Sequence, residues 1–125
     1  MYLLDSNILI YLQNEKEKVW QHTLSLGEDA FAISVISRFE VRVGIGNDAS
    51  FVERSYDFLS QFKAIPINAE IIDLASELYI AQGTGKSIFK DVLIAATAII
   101  QDLTLVTADK DFKKFKKLKL HLLKI

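Results

Sequence analysis

The sequence predicts an α/β protein built on a largely parallel central sheet. Three observations lead there. Short apolar runs of strand length recur at Tyr2–Leu4, Phe31–Ile33, Ala64–Ile67, Leu103–Val106 and Leu118–Leu123. Segments with helical apolar spacing separate them, and strands alternating with helices imply crossover connections and parallel pairing. Nothing between them reads as a linker: the five glycines are scattered, Pro66 is the sole proline, and there is no repeat or low-complexity tract.

Tyr2–Leu4 is a continuous apolar run, the pattern of a buried strand. Ser6-Asn7 then offers a helix cap before Ile8, Ile10, Tyr11 and Leu12. A second helix covers Lys16 to Leu26 and stops at Gly27. Phe31–Ile33 returns to strand. From Val35 the apolar residues Val35, Ile36, Phe39 and Val43 follow helical spacing until Gly44 and Gly46. Phe51, Tyr56, Phe58, Leu59 and Phe62 mark another helix, and Ala64–Ile67 a short strand. Ile71, Ile72, Leu74, Ala75, Leu78 and Tyr79 keep a helical period that ends at Gly83. Ile88 to Ile100 is the strongest helix, nearly all apolar on one side, with small Ala95, Ala96 and Ala98 permitting close packing. Leu103–Val106 is a strand, Asp109–Phe115 a short helix and Leu118–Leu123 the last strand.

A chain of 125 residues fits a single domain, residues 1–125, and is long enough to bury a core without staples. The absence of cysteine excludes disulfides, zinc–thiolate sites and thiol nucleophiles, and suits a reducing cytosol. Met1-Tyr2-Leu3-Leu4 meets Asp5 at once, without the basic and apolar regions of a signal peptide. The longest apolar-rich stretch, Val92 to Ile100, is interrupted by Thr97 and is far shorter than a membrane span. A cytoplasmic protein without membrane contact is therefore expected.

The net charge of −1 hides an asymmetry. Residues 110–125 hold seven lysines against one acid, Asp111, a local charge of +6, while the remaining 109 residues carry −7. A basic terminal segment on an acidic body suggests contact with a polyanion. The structural alternative is a solvated lysine-rich helix and an edge strand protected from stray pairing.

Four acids stand where chemistry is expected. Asp5 ends the first strand, and ligand sites of open α/β sheets lie outside the carboxyl ends of strands. It is equally placed to cap the next helix. Glu40 flanks the apolar stripe of its helix, one residue after Phe39 and four after Ile36, where it could also pair with Arg38 or Arg42. Asp91 falls early in the most apolar helix. It complements the helix dipole there, but a carboxylate near a buried side needs a cation or hydrogen bonds. Asp109 follows the strand Leu103–Val106 and could cap the short helix, with Thr107 able to hold a carboxylate or a water. Asp111, two residues on, competes with Asp109 for the same role.

Each acid has a structural explanation, but the Asp5 and Asp109 strand ends open on one edge of such a sheet. Clustered carboxylates repel unless protonated or bridged by cations. Hard oxygen ligands without His or Cys suit Mg²⁺ or Mn²⁺, ions that serve phosphodiester hydrolysis. Other chemistries lack parts. The only histidines, His22 and His121, have no motif around them, and no serine sits in a G-x-S-x-G elbow. Gly83-Thr84-Gly85-Lys86-Ser87 follows a helix and lacks the first glycine of a phosphate loop, so it reads as a turn with Ser87 as a cap. A phosphatase or receiver domain needs an adjacent acidic pair, which Asp5-Ser6-Asn7 does not supply.

With these residues in hand, the whole chain resembles the PIN-domain ribonucleases, specifically the VapC-type toxins of type II toxin–antitoxin pairs. The matching pieces are Leu3-Leu4-Asp5-Ser6-Asn7, then Ile33-Ser34-Val35-Ile36-Ser37-Arg38-Phe39-Glu40 leading to Gly44. Lys90-Asp91-Val92-Leu93-Ile94-Ala95-Ala96-Thr97-Ala98 and Leu105-Val106-Thr107-Ala108-Asp109-Lys110-Asp111-Phe112 complete the set. The resemblance implies a three-layer α/β/α sandwich with a mostly parallel sheet of about five strands. It also implies Mg²⁺ or Mn²⁺ as cofactor and cleavage of an RNA substrate. By the same carry-over Asp5 and Asp91 are the main metal ligands, Glu40 binds metal or orients the attacking water, and Asp109 completes the acidic pocket. The family further implies a homodimer and a cognate protein antitoxin. The lysines of 110–119, with Arg38, Arg42, Lys86 or Lys90, are expected to hold the RNA backbone. The rival reading is a PIN-like module that only binds RNA or protein, its acids serving as caps.

Overall fold

The computed structural model describes residues 1–14, 16–27, 31–82 and 88–124. Among them the chain runs β1 (Tyr2–Leu4), α1 (Ser6–Gln13), α2 (Glu17–Ser25), β2 (Phe31–Ser34), α3 (Val35–Gly44), α4 (Ala49–Leu59) and β3 (Lys63–Ile65). It continues through α5 (Ala69–Gln82), α6 (Ile88–Ile100), β4 (Thr104–Thr107), a 3₁₀ helix (Lys110–Lys114) and β5 (Leu120–Leu122). The expected turn at residues 83–87, with its Ser87 cap and Lys86, lies outside the described residues.

All strand pairings are parallel, in the order β3-β2-β1-β4-β5. The predicted strands are present: β1 has the expected bounds, β2 runs one residue further, β3 and β4 are shifted by a residue or two, and β5 is shorter. Pro66, which has no N–H to give a ladder, follows the last residue of β3, and β5 covers only the middle of Leu118–Leu123. The expected helix over Asp109–Phe115 is a short 3₁₀ segment.

Side-chain alternation along the strands divides the interior in two. Leu3, Ala32 and Leu105 are register neighbours on one face and pack beneath α5 and α6 with Ile71, Ala75, Ile94 and Ala95. Leu4, Ile33 and Val106 face the opposite way, toward Ile8, Leu9, Leu12, Val19 and Leu59 of α1, α2 and α4. Both faces of the sheet are covered, which gives the α/β/α sandwich and explains why the strands read as unbroken apolar runs. Helix α3 touches both layers, Ile36 joining the first cluster and Val41 the second. Thr97, the polar interruption in α6, is satisfied within its helix, its hydroxyl donating to the Leu93 carbonyl at 2.7 Å.

Strand ends double as helix caps. Ser34, the last residue of β2, accepts the Ile36 N–H on its hydroxyl at 3.0 Å, so α3 starts without a loop. Asp48 and Asn68 cap α4 and α5 in the same manner. With both sheet faces filled by apolar side chains, polar groups are left to the rim where strands turn into helices.

Truncating Leu105, fully buried at the centre of β4, should leave a cavity against α6. We expect Leu105→Ala to cost about 2–5 kcal/mol, read as a lowered urea midpoint at unchanged slope.

Candidate active site

Asp5 occupies the junction between β1 and α1, and its backbone is extended, as a cap requires (φ −72°, ψ 160°). One carboxylate oxygen accepts the Ser6 N–H at 2.8 Å, and the Asp5 carbonyl accepts the Leu9 N–H at 3.1 Å. Of the two caps the sequence offers for α1, Asp5 and the Ser6-Asn7 pair, Asp5 is the one used. With α1 beginning at Ser6, the Asn7 side chain is not needed as a cap and is free for other work.

That work lies across the sheet. The second Asp5 oxygen accepts the Thr107 hydroxyl at 2.6 Å. Thr107 Oγ1 in turn accepts the Asp109 N–H at 3.1 Å and Asn7 Nδ2 at 3.3 Å. Asn7 Oδ1 accepts the Ala108 N–H at 3.3 Å. One donor and two acceptor positions exhaust what a threonine hydroxyl offers. The carboxyl ends of β1 and β4 are thus stitched together through Asp5, Asn7 and Thr107.

The remaining acids come from three further elements. Asp109 caps the 3₁₀ helix, accepting the Asp111 N–H at 2.9 Å. Asp91 stands in the first turn of α6. Glu40, on α3, pairs with Lys90 Nζ at 3.6 Å. Neither arginine expected as its partner takes that role: Arg38 lies over the Tyr56 ring at 5.3 Å, and Arg42 donates to the Gly46 carbonyl at 2.9 Å. The basic residue that reaches Glu40 comes instead from the neighbouring helix.

These charges act on one another. Asp5 is only 6 % exposed, and burial is the main reason its carboxyl is pushed up to about 6. The Thr107 and Ser6 hydrogen bonds oppose the shift, while the charges of Glu40 and Asp91 add to it. Asp91 is also raised, first by burial and next by Asp109. Lys114 of the basic segment pulls it back, and Glu40 and Asp111 push further. Asp5, Glu40, Asp91, Asp109 and Asp111 therefore share one electrostatic field, with Lys114 and Lys90 on its border. Among the described residues, however, no three acidic or histidine side chains converge as ligands of one ion. The carboxyls of Asp5 and Asp109 are engaged as caps, and that of Glu40 in its ion pair.

Sequence reasoning named Asn7 and Lys90 but missed the bridge that Asn7 makes to β4 and the pairing of Lys90 with Glu40. Asn7 bonds to partners about a hundred residues away, for which no local pattern exists. Lys90 had a signal in its place one residue before Asp91, but its partner depended on how α6 lies against α3.

The PIN domain model matches residues 2–118. The chain belongs to the PIN domain family. Its all-parallel sheet and flanking helices are those of a PIN fold. Among solved structures, VapBC2 from Rickettsia felis bound to a DNA fragment from their promoter has a chain 28 % identical, with a TM-score of 0.81 and 98 % of each chain covered. A toxin–antitoxin complex from Klebsiella pneumoniae includes one 30 % identical, with a TM-score of 0.79, covering 94 % of this chain and 95 % of that one. VapBC-1 from nontypeable Haemophilus influenzae shares the fold at 22 % identity, with a TM-score of 0.75 over 97 % and 96 % of the chains. No curated protein sequence is significantly similar to this PIN domain.

The raised Asp5 carboxyl has a consequence for stability. An unfolded aspartate ionises near 3.8 and the folded one near 6. Between these values unfolding releases a proton, so stability without divalent ions falls as pH rises through that window. The loss amounts to about 3 kcal/mol from Asp5, and Asp91 adds to it in the same direction. Urea unfolding at a series of pH values should show this slope flattened in Asp5→Asn; an unchanged slope would refute the assignment. Thr107→Val removes a bond that holds the Asp5 carboxyl down, and should move its titration by NMR above that of the wild type.

Proposed function

We propose that this PIN domain is a Mg²⁺-dependent endoribonuclease, with Mn²⁺ able to substitute, and the toxin of a type II toxin–antitoxin pair. The observation that carries this reading is the shared field of Asp5, Glu40, Asp91 and Asp109 at the carboxyl rim of the sheet. Burial and mutual repulsion raise Asp5 and Asp91 there, and a divalent cation relieves both. The donor set fits such an ion: carboxylate oxygens, no sulfur and no imidazole. Asp5 and Asp91 would be its main ligands, with Glu40 and Asp109 completing the pocket. When bound, the ion supplies positive charge for the phosphate oxygens and makes a water more acidic.

The chain's own groups then have separable tasks. Ser6 and Thr107 fix both oxygens of Asp5, so its carboxylate would be presented to the ion in one orientation. Glu40 takes the proton from the attacking water once Lys90 leaves it. A phosphate backbone competes with Glu40 for Lys90, whose side chain is 56 % exposed, so substrate binding itself frees the base. Lys114, beside Asp91, and the other lysines of 110–119 hold the flanking RNA. A cognate antitoxin, a homodimeric state and a cytoplasmic setting complete the reading. The similarity to chains from toxin–antitoxin complexes supports the first. Among the described residues no helix is long and apolar enough to cross a membrane.

A non-catalytic binding module draws on one observation: the acids are engaged as caps and in the Lys90 pair. RNA cleavage by purified, antitoxin-free protein separates the two readings. We expect cleavage with Mg²⁺ or Mn²⁺, none with EDTA, and a loss of roughly a hundredfold or more in Asp5→Asn. Tight RNA binding without cleavage under any of these ions favours the module. Lys114→Ala should weaken RNA binding modestly and lower the slope of log affinity against log salt by about 1.

A further inference from the structure

The two histidines of the chain, 99 positions apart, meet on its surface. His22 projects from α2 and His121 from β5, with their Nε2 atoms 2.7 Å apart. The ring centroids are separated by 5.0 Å and the planes inclined at 46°. Two facing ring nitrogens share a single proton between them, since one must donate and the other accept. A metal ion can occupy the same position. We infer that His22 and His121 form a chelating site for a borderline divalent transition-metal ion of the Zn²⁺, Ni²⁺ or Cu²⁺ class, joining α2 to the edge strand β5.

Four features support the site. Both rings reach solvent, so each could satisfy its nitrogens with water, and their convergence is not forced by burial. Both stand on anchored elements. Val19 of α2 is buried, Trp20 Nε1 donates to the Leu12 carbonyl at 3.0 Å, and His121 is held in register with Val106 of β4. The spacing is close to what is required: bonds of about 2.0–2.1 Å to a tetrahedral ion place the nitrogens about 3.3 Å apart, an opening that small ring rotations supply. Imidazole also selects against Mg²⁺, so this pair and the carboxylate cluster sort ions by ligand chemistry. Among the described residues neither ring bonds to a carboxylate. The ion's other positions face water.

Binding takes both rings to the Nδ1–H tautomer with bare Nε2 atoms: the ring that held the bridging proton gives it up at Nε2 and takes one from water at Nδ1, so a neutral pair releases no net proton. Bridging residues this far apart in sequence fastens an early helix to the last strand.

Trp20, the only tryptophan, lies two residues from His22 and reports the ion directly. The full-length protein is titrated with Cu²⁺, Ni²⁺ or Zn²⁺ in excess Mg²⁺. Its Trp20 fluorescence is followed for Cu²⁺ and Ni²⁺, and its thermal midpoint for Zn²⁺. We expect saturable quenching at one equivalent and a raised midpoint, both retained in Asp5→Asn. His22→Gln and His121→Gln should each weaken binding at least about tenfold, no less than the loss of an outer-sphere partner, with unchanged circular dichroism. Quenching that survives in both histidine variants, or that disappears in Asp5→Asn alone, overturns the site. A wild type that shows no saturable response to any of the three ions does so too.

Discussion

The Thr107 hydroxyl, aimed at a buried aspartate from the neighbouring strand, is the contact on which the rim of the sheet depends. It joins Asp5 Oδ2 at 2.6 Å while receiving the Asp109 N–H and the Asn7 amide. β1 and β4 pair along only three residues each, so their carboxyl ends need fastening beyond the ladder. The Asp5 N–H extends the pairing by one bond, to the Val106 carbonyl at 3.0 Å. The side-chain bonds then carry it past the last ladder residue. The same contacts that hold two strands in register hold a carboxylate in one orientation.

This economy has an energetic cost. A buried carboxylate with two donors would ionise readily, yet Asp5 is pushed up to about 6, because desolvation outweighs the two hydrogen bonds and the neighbouring acids add repulsion. Apolar residues of similar size would relieve the strain and destroy the cluster. A site that stores unfavourable charge at the rim of a fully packed sandwich is the arrangement expected where function opposes stability. Lys90 and Lys114 moderate the repulsion without cancelling it. Both lie at the edge of the cluster and are displaceable.

Much of the fold was legible because a parallel sheet covered on both faces must be written as short apolar runs, and Tyr2–Leu4 and Leu103–Val106 are such runs. Their neighbours were legible through period, most clearly Ile88–Ile100. Boundaries were less so. The first helix starts at Ser6 because Asp5 caps it, whereas the sequence offers Ser6-Asn7 with equal chemical merit. Asp5, Asp91 and Asp109 stood out by position at strand ends and helix starts, Glu40 by its place beside the apolar stripe of α3, and Thr107 by its place near Asp109. The bridge from Asn7, the pairing of Lys90 and the meeting of His22 with His121 were illegible for one reason. Each depends on elements brought together from distant parts of the chain, and a polar residue on a short exposed stretch carries no periodic signal of its partner.

The charge asymmetry acquires a geometric meaning once the fold is known. A segment of +6 and a body of −7 could face away from each other and act as separate surfaces. Instead Lys114 lies close enough to Asp91 to act on its ionisation, so the basic segment borders the acidic rim. Acids alone repel a polyanion, and lysines alone bind it without placing it. Adjacent, they would draw a phosphate chain to the border and leave its next phosphate facing carboxylates, a position tolerable only with a bridging cation. On the proposed function, the electrostatics of the rim would couple the demand for a divalent ion to the arrival of a polyanion. A surface built only to bind nucleic acid would gain affinity from replacing those carboxylates with neutral or basic residues, whereas this one keeps Asp5 buried and oriented with Asp91 half-buried in its field.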